Sequence, residues 1–216
     1  MLDLTQMPAA DVKQRGSAAT RARLLDAAMT LFAERGYEAT TVGDIEQAAG
    51  MAPRSGALYQ YFAGKDEVLK AALERQLEAV DDLGSVMDML PLGDLEAEIT
   101  LLARWNLNSL DRRAELTRFV RREGDRLPPT LRRKLYDRLV GRPYEQVISL
   151  LRARAEQAGA DPADLETLAV ILIESMGAFR AMRDTFGRVV DDIDDERFVT
   201  AWVSLAMAAA RERGLA

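Results

Sequence analysis

The side chains that could do chemistry in this chain of 216 residues are carboxylates, hydroxyls, amines and guanidinium groups, because it contains neither histidine nor cysteine. Their absence excludes histidine-based catalytic triads, cysteine nucleophiles, disulfides and histidine- or thiolate-ligated metal sites. The sequence also lacks a glycine-rich phosphate loop, a paired-acid motif and a nucleophile elbow. Catalysis by carboxylates alone is the remaining enzymatic alternative, but we expect no enzyme, no metal and no cofactor.

The charged residues are strongly segregated along the chain, whose formal net charge is −6. Residues 1–75 carry 9 basic and 10 acidic side chains, whereas residues 104–142 carry 12 basic and 5 acidic ones. The basic stretch could attract an anionic ligand, or it could be a solvated helix surface that faces the acidic regions on either side. Its cations include Arg112, Arg113, Arg118, Arg121, Arg122, Arg126, Arg132, Arg133 and Lys134.

The elements that must position these groups are predicted to be helices, in an all-α fold of about nine helices. Apolar residues recur at helical spacing through residues 18–35, which predicts the first helix. Thr41 and Asp44 have the spacing of a capping box, in which each side chain binds the free amide of the other residue, and they predict a second helix over residues 42–49. No stretch alternates with the period of two that is typical of strands.

Proline and glycine separate the later helices. Pro53 suits the first turn of a third helix over residues 53–59, and Lys65 opens a long fourth helix. Gly141 and Pro143 predict a kink within a later helix. The further helices are predicted over residues 94–110, 114–126, 130–158, 163–186 and 195–213.

A series of short motifs at fixed spacing occupies the N-terminal third of the chain. They are Leu24-Leu25-Asp26-Ala27-Ala28, Phe32-Ala33-Glu34-Arg35-Gly36-Tyr37, Thr40-Thr41-Val42, Ile45 with Ala48-Ala49-Gly50, Gly56-Ala57-Leu58-Tyr59-Gln60-Tyr61-Phe62 and Lys65-Asp66. Together they resemble the DNA-binding domain of the TetR (tetracycline-repressor-like) family. The resemblance implies a helix-turn-helix DNA-binding domain over residues 17–76 and a helical ligand-sensing and dimerisation domain over residues 77–216.

The resemblance also implies a function, that of a cytoplasmic transcriptional repressor. Such a protein binds a palindromic double-stranded DNA operator as a homodimer and is released by a small-molecule effector, and it has no membrane segment. Its third helix enters the major groove, where Arg54 could bind guanine in bidentate fashion. The DNA-binding residues implied are Arg21, Thr41, Arg54, Ser55, Gly56, Ala57, Tyr59, Tyr61 and Lys65.

One departure from the family affects this assignment. Five residues, 51–55, separate Gly50 from Gly56, whereas members of the family commonly have three residues at this place. We expect the two extra residues to extend the turn or the N-terminal end of the third helix.

The C-terminal helices are expected to supply a ligand pocket and a dimer interface. Two wide apolar stripes could pack against a second chain as a four-helix bundle, or they could serve only the core of one chain. A helical adaptor that binds protein instead of DNA is the alternative function. The candidate ligand contacts are Leu101, Trp105, Phe119, Tyr136, Tyr144, Met176 and Phe179. The candidate dimer contacts are Leu172, Phe179, Phe198, Trp202, Leu205 and Ala209.

Overall fold

The computed structural model describes residues 9–78, 89–90 and 92–215, whose regular structure is entirely helical, so the predicted all-α class is confirmed. None of the helices in this part of the chain is long and apolar enough to cross a bilayer. The α-helices are α1 (Ala9–Arg35), α2 (Val42–Ala48), α3 (Lys65–Glu78), α4 (Leu95–Arg112), α5 (Ala114–Glu123), α6 (Pro129–Tyr136), α7 (Arg142–Ala158), α8 (Leu165–Phe186) and α9 (Asp195–Glu212).

Side chains that bind free backbone amides determine where several helices begin. The predicted capping box of α2 is confirmed, because the Thr41 hydroxyl accepts from the Asp44 amide and the Asp44 carboxylate accepts from the Thr41 amide. Asp94 and Asp194 cap α4 and α9 by one hydrogen bond each, their carboxylates accepting from the amides of Ala97 and Arg197. Helix α7 ends at Gly159, whose positive φ of 65° stops the helical pattern.

The predicted α-helix over residues 53–59 is wrong. The chain forms a turn after α2 and then a single 3-10 turn at Ala57–Gln60. Arg54 and Gly56 have φ values of 60° and 73°, which belong to the left-handed region and are incompatible with a continuous α-helix. The two extra residues of this sequence therefore extend the turn.

The kink predicted near Gly141 and Pro143 takes the form of a π turn. Helices α6 and α7 are joined by a five-residue π turn at Asp137–Gly141, and Pro143 lies in the first turn of α7. Proline has no amide proton and its ring disfavours a regular helical turn before it, so a wider turn accommodates it.

The described residues divide into two units, each with its own apolar core. The first unit contains the residues up to Glu78 together with Glu115–Pro128, and the second contains the rest. The sequence-based division into 17–76 and 77–216 does not anticipate that α5 groups with the N-terminal segment. Leu116 and Phe119 of α5 are fully buried there.

Helix α5 is held in the first unit by both apolar and polar contacts with α1. The ring centroids of Phe32 and Phe119 are 6.4 Å apart. The Thr30 hydroxyl donates to the Glu115 carboxylate at 3.0 Å, and the Arg122 guanidinium donates to the backbone carbonyl of Glu34. Burial of α5 thus completes the core of the unit that carries the helix-turn-helix segment.

In the second unit, α4, α8 and α9 meet around a buried arginine. The Arg180 guanidinium, 4% exposed, donates to both carboxylate oxygens of Asp195, at 2.5 and 2.6 Å, and to Asp111 at 3.1 Å. Hydrogen bonding from Arg180 holds the pKa of Asp195 below its ordinary value. This ion cluster ties the three helices together at one end of the unit.

Candidate nucleic-acid interface and ligand cavity

The turn after α2 is organised by a buried carboxylate. Glu46 of α2 is fully buried, and its two carboxylate oxygens accept hydrogen bonds from the backbone amides of Ser55, at 3.1 Å, and Leu58, at 3.0 Å. One side chain therefore fixes both the end of the turn and the start of the 3-10 segment. A buried carboxylate that accepts two amide protons is satisfied without a cation, because hydrogen bonds to a charged group are strong.

Sequence reasoning did not single out Glu46, although a signal was present. Val42, Glu46 and Ala49 lie four and three residues apart, which places them on one face of α2. Glutamate is almost never fully buried without a partner, so an acidic residue on an apolar face predicts nearby donors. The amides of the glycine-containing turn that follows are the available donors.

Arg54 is presented on the exposed side of this turn. Its side chain is exposed, and its stem lies against α2, where a β-carbon added to Gly43 would come within 3.3 Å of the Arg54 Cγ atom. Its backbone has a positive φ of 60°, which is costly for a residue with a side chain. Such strain in an exposed polar turn is typical of functional segments.

Lys65 has a different environment from the one that the resemblance implies. Its ammonium group donates to the backbone carbonyls of Tyr37, at 2.9 Å, and Thr40, at 3.0 Å, and lies 4.1 Å from the centroid of the Tyr37 ring. The Tyr37 hydroxyl in turn donates to the Asp66 carboxylate, and burial together with that hydrogen bond raises the pKa of Tyr37. Lys65 thus ties the segment between α1 and α2 to the start of α3.

The other implied DNA contacts surround the turn in the first unit. Thr41 is exposed at the start of α2, Tyr59 is 60% exposed, and Tyr61 is half-buried. Arg21 is exposed, with its guanidinium 4.9 Å from the centroid of the Phe62 ring. The Ser55 hydroxyl accepts from the Ala57 amide at 3.3 Å, and Gly56 supplies the left-handed residue between them.

This arrangement can bind a nucleic-acid backbone and read a base edge. The Tyr59 hydroxyl is available to a phosphate, and the guanidinium of Arg54 has the planar fork that fits guanine in the major groove. The Thr41 hydroxyl donates its proton to the Asp44 carboxylate at 2.6 Å, so it has no proton left for a phosphate. Among the described residues no group of three or more acidic side chains is placed to hold a metal ion.

A largely apolar cavity of about 150 Å³ lies within the second unit. It is lined by residues of α4, α7, α8 and α9, and the π turn contributes Leu139. Of the predicted ligand contacts, Trp105, Tyr144 and Met176 line it.

The remaining predicted ligand contacts lie elsewhere. Phe119 is in the core of the first unit, and Tyr136 is 60% exposed. Leu101 is half-buried but does not line the cavity, and Phe179 is buried against Phe198, with ring centroids 4.0 Å apart. Apolar type and helical spacing alone do not tell a cavity wall from a core position.

The predicted dimer residues separate into two groups. Phe179 and Phe198 stack within the chain, and the Trp202 indole donates to the backbone carbonyl of Leu172 at 3.0 Å, so these four pack within the second unit. By contrast Leu205 is 60% exposed, and Ala209 is partly exposed. The large apolar residues of α8 and α9 that are exposed are Val170, Ile171, Met182, Phe186 and Leu205.

The polar groups of the cavity are few. Glu98, 1% exposed, accepts from the backbone amides of Leu92 and Gly93 and from the Arg154 guanidinium. The Tyr144 hydroxyl donates to the Glu174 carboxylate, and burial together with this contact raises the pKa of Tyr144.

A helix-turn-helix regulator with a ligand-binding unit needs an exposed helix-turn-helix segment in one unit and a cavity in another, and the described residues have both features. Residues 24–72 match the family model described as bacterial regulatory proteins, tetR family. This segment, less than a quarter of the chain, is therefore similar to the tetR family.

Relatives and solved structures agree with that assignment. The chain is 38% identical over 109 residues to the HTH-type transcriptional repressor KstR2 of Rhodococcus jostii, a match that covers 50% of each chain. It is 47% identical over 58 residues to KstR2 of Mycobacterium tuberculosis, which covers 27% of this chain and 28% of the relative. The chain thus matches about half the length of these curated relatives or less.

Two solved structures share the fold across most of the chain. A putative TetR-family regulator from Mesorhizobium loti has a TM-score of 0.65 at 22% identity, covering 89% of this chain and 97% of its own. The ketosteroid transcriptional regulator KstR2 of M. tuberculosis has a TM-score of 0.63 at 21% identity, covering 88% and 93%. At these identities the comparison establishes the fold alone.

Proposed function

We propose that this protein is a transcriptional repressor that binds a palindromic DNA operator as a homodimer and is released by a small-molecule effector. The observation that carries the proposal is the exposed turn at Arg54, whose backbone has a positive φ and whose following residues are hydrogen-bonded to the Glu46 carboxylate. In a helix-turn-helix the segment after this turn reads the major groove. The relatives named as repressors support this sign of regulation. The protein acts in the cytoplasm and is not an enzyme.

The exposed apolar face of α8 and α9 supports the homodimer. Ile171 is 59% exposed, Phe186 is 73% exposed and Leu205 is 60% exposed, although all three are large hydrophobic side chains. A second copy that covers this face by two-fold symmetry would remove them from water and would place two DNA-binding units on one palindrome. This face replaces the stacked Phe179 and Phe198 as the proposed contact.

The reading mechanism follows from the geometry of the turn. Tyr59 binds a phosphate and helps to set the position of the protein on the duplex, and Arg54 binds the O6 and N7 atoms of guanine. Thr41 keeps the start of α2 in place through its capping box with Asp44. A single base contact of this kind discriminates by about 1–3 kcal/mol. We propose no phosphate contact for Lys65, because two of its three protons are directed at backbone carbonyls.

Selection of bound duplexes from a random DNA pool by the purified protein tests the proposal. The expected result is a palindromic site that the protein binds as a dimer. Arg54→Ala then weakens binding to that site and relaxes the preference for guanine, whereas Arg35→Ala, an exposed arginine at the end of α1, leaves it unchanged. A folded protein that enriches no DNA at low salt would refute the repressor and favour a protein-binding adaptor.

A further inference from the structure

The cavity of the second unit carries charged groups at two places along α4. Glu98 lies in the first turn of this helix and Arg113 directly follows its last residue. A helix rises 1.5 Å per residue, so the two positions are about 22 Å apart along its axis. Between them the wall supplied by α4 includes Ile99, Leu102 and Trp105. The wall between the two charged positions is therefore mainly apolar, with Asn106 as a polar residue of α4 in it.

The charged group near the start of α4 is neutralised within the protein. Glu98 accepts from two backbone amides and from the guanidinium of Arg154, which also lines the cavity. This pair leaves no net charge for a ligand to balance.

Among the described residues, Arg113 at the other end has no hydrogen-bonded partner, and the acidic residue that acts on its charge, Glu174, does not line the cavity. Within the described part of the chain its guanidinium makes no hydrogen bond and no salt bridge, and the nearby Glu174 carboxylate accepts from Tyr144 instead. Burial lowers the pKa of the Arg113 guanidinium, and the charges of Tyr144 and Glu174 oppose that effect. Arginine stays protonated at neutral pH despite this shift. The cavity lining therefore has one more positive than negative charge, and that charge is partly desolvated.

We propose that the cavity binds an amphipathic monocarboxylate, whose carboxylate pairs with Arg113 and whose hydrocarbon body lies along α4. A guanidinium and a carboxylate form two parallel hydrogen bonds, which are among the strongest polar contacts in proteins. A single negative charge complements the guanidinium of Arg113, which has no hydrogen-bonded partner in the described part of the chain, whereas a cation would be repelled by it. The inference rests on the proposed function, because it specifies the chemical class of the effector.

Arg113 also lies next in sequence to the point where the chain enters the proposed DNA-binding unit. The chain passes from the second unit to the first between Ala114 and Glu115, immediately after Arg113. A carboxylate that fixes Arg113 thus fixes the residue next to this crossing. The ligand can act on operator binding only by the difference in its affinity for the two states of the protein.

Calorimetric titration of the full chain with matched acids and amides tests the proposal. The probes are octanoate against octanamide and adamantane-1-carboxylate against its primary amide. Each pair has the same hydrocarbon body, and the neutral amide replaces one charged acceptor oxygen by an NH₂ donor. We expect at least one acid to bind about tenfold or more tightly than its amide. Arg113→Gln is expected to abolish that preference and to keep the affinity for the amide.

Arg112→Gln is the matched control, since Arg112 is the preceding, exposed residue and does not line the cavity. It is expected to keep the preference for the acid. Arg113→Lys retains the charge but not the bidentate geometry, so it is expected to show an intermediate preference for the acid. This variant replaces Arg113→Gln in the test if the glutamine variant does not fold.

Equal binding of acid and amide, failure of all four probes to bind at millimolar concentration, or a preference that survives Arg113→Gln would each overturn the inference. These outcomes are separate from a failure of the proposed function. A protein that selects an operator but does not distinguish acid from amide refutes only the ligand class. A protein that prefers the acid but selects no DNA refutes only the repressor.

Discussion

Replacing Glu46 by alanine removes the carboxylate that holds the turn after α2. Two hydrogen bonds to a charged acceptor are lost, each worth about 1.5–3 kcal/mol. The Ser55 amide belongs to an exposed residue and can bind water, but Leu58 is fully buried and its amide is left without a partner. We therefore expect the free energy of unfolding to fall by about 2–4 kcal/mol, set mainly by the buried amide.

Glu46→Gln separates the charge from the shape of this side chain. Its amide oxygen can accept from only one of the two backbone amides, while its NH₂ group points hydrogens at the other. We expect a loss of about 1–2 kcal/mol. Gln47→Ala, at the exposed neighbour on α2, is the control and is expected to leave stability within about 0.5 kcal/mol of the wild type.

Urea unfolding measures the stability of these variants, and hydrogen exchange of the Leu58 amide measures the order of the turn. Exchange of that amide is expected to rise by about tenfold or more in Glu46→Ala under conditions in which the protein stays folded. Operator affinity, measured under the same conditions, is expected to fall with it. Unchanged exchange at Leu58 would show that Glu46 does not hold the turn. A loss of stability with unaltered operator affinity would refute its role in positioning Arg54.

Four further measurements test other parts of the structure. Lys65→Met is expected to lower the free energy of unfolding by about 1–3 kcal/mol without changing the salt dependence of operator binding, because the Lys65 ammonium group binds backbone carbonyls. A shallower salt dependence in the variant would show that Lys65 binds a phosphate instead. Because Arg54 is assigned to a base, Arg21 is the exposed cation of the proposed interface that remains for a phosphate, and the slope of log K against log salt for a dimer is expected near −2. A slope steeper than about −9 would reveal a further basic surface that binds DNA. Arg54→Gly is expected to raise the free energy of unfolding by up to about 1 kcal/mol, because glycine adopts the positive φ of this position without strain, whereas Arg54→Ala is not expected to raise it. Equal melting temperatures for the two variants would argue against backbone strain at this position. Arg180→Met is expected to lower the free energy of unfolding by about 2–3 kcal/mol at neutral pH, a value reduced because the aspartates that Arg180 binds are about half exposed. The pKa of Asp195 is lowered in the folded state, so the extra stability of the wild type should be lost as the pH falls below about 4, whereas the variant should show no such loss.

Most helix positions could be predicted from the sequence because periodicity and caps are local signals. The capping box of Thr41 and Asp44 and the helix that ends at Phe186 needed no tertiary information. Helix α1 starts nine residues before its predicted start at residue 18, in a segment that lacks the apolar periodicity of residues 18–35. The prediction of an α-helix over residues 53–59 was wrong because the backbone of Arg54 is left-handed, and residue type alone does not predict that conformation for arginine.

The candidate site was less predictable because its side chains act across elements. Lys65 belongs to a motif associated with DNA contact, but its partners lie more than 20 residues earlier in the chain. The sequence does not distinguish Phe119 from an aromatic residue of a cavity wall, because only the structure shows that α5 packs in the first unit. Arg113 could be separated from the other arginines of its stretch only by knowing which of them lines a cavity.

The grouping of α5 with the first unit has a consequence for synthesis of the protein. The hydrogen bonds from Thr30 to Glu115 and from Arg122 to Glu34 join residues 85 and 88 positions apart. The N-terminal segment therefore cannot bury Phe32 against Phe119 until the ribosome has released the chain beyond α5. A nascent chain that ends near Glu78 exposes apolar surface that the finished protein covers, so chaperones that recognise such surface have a defined interval in which to bind.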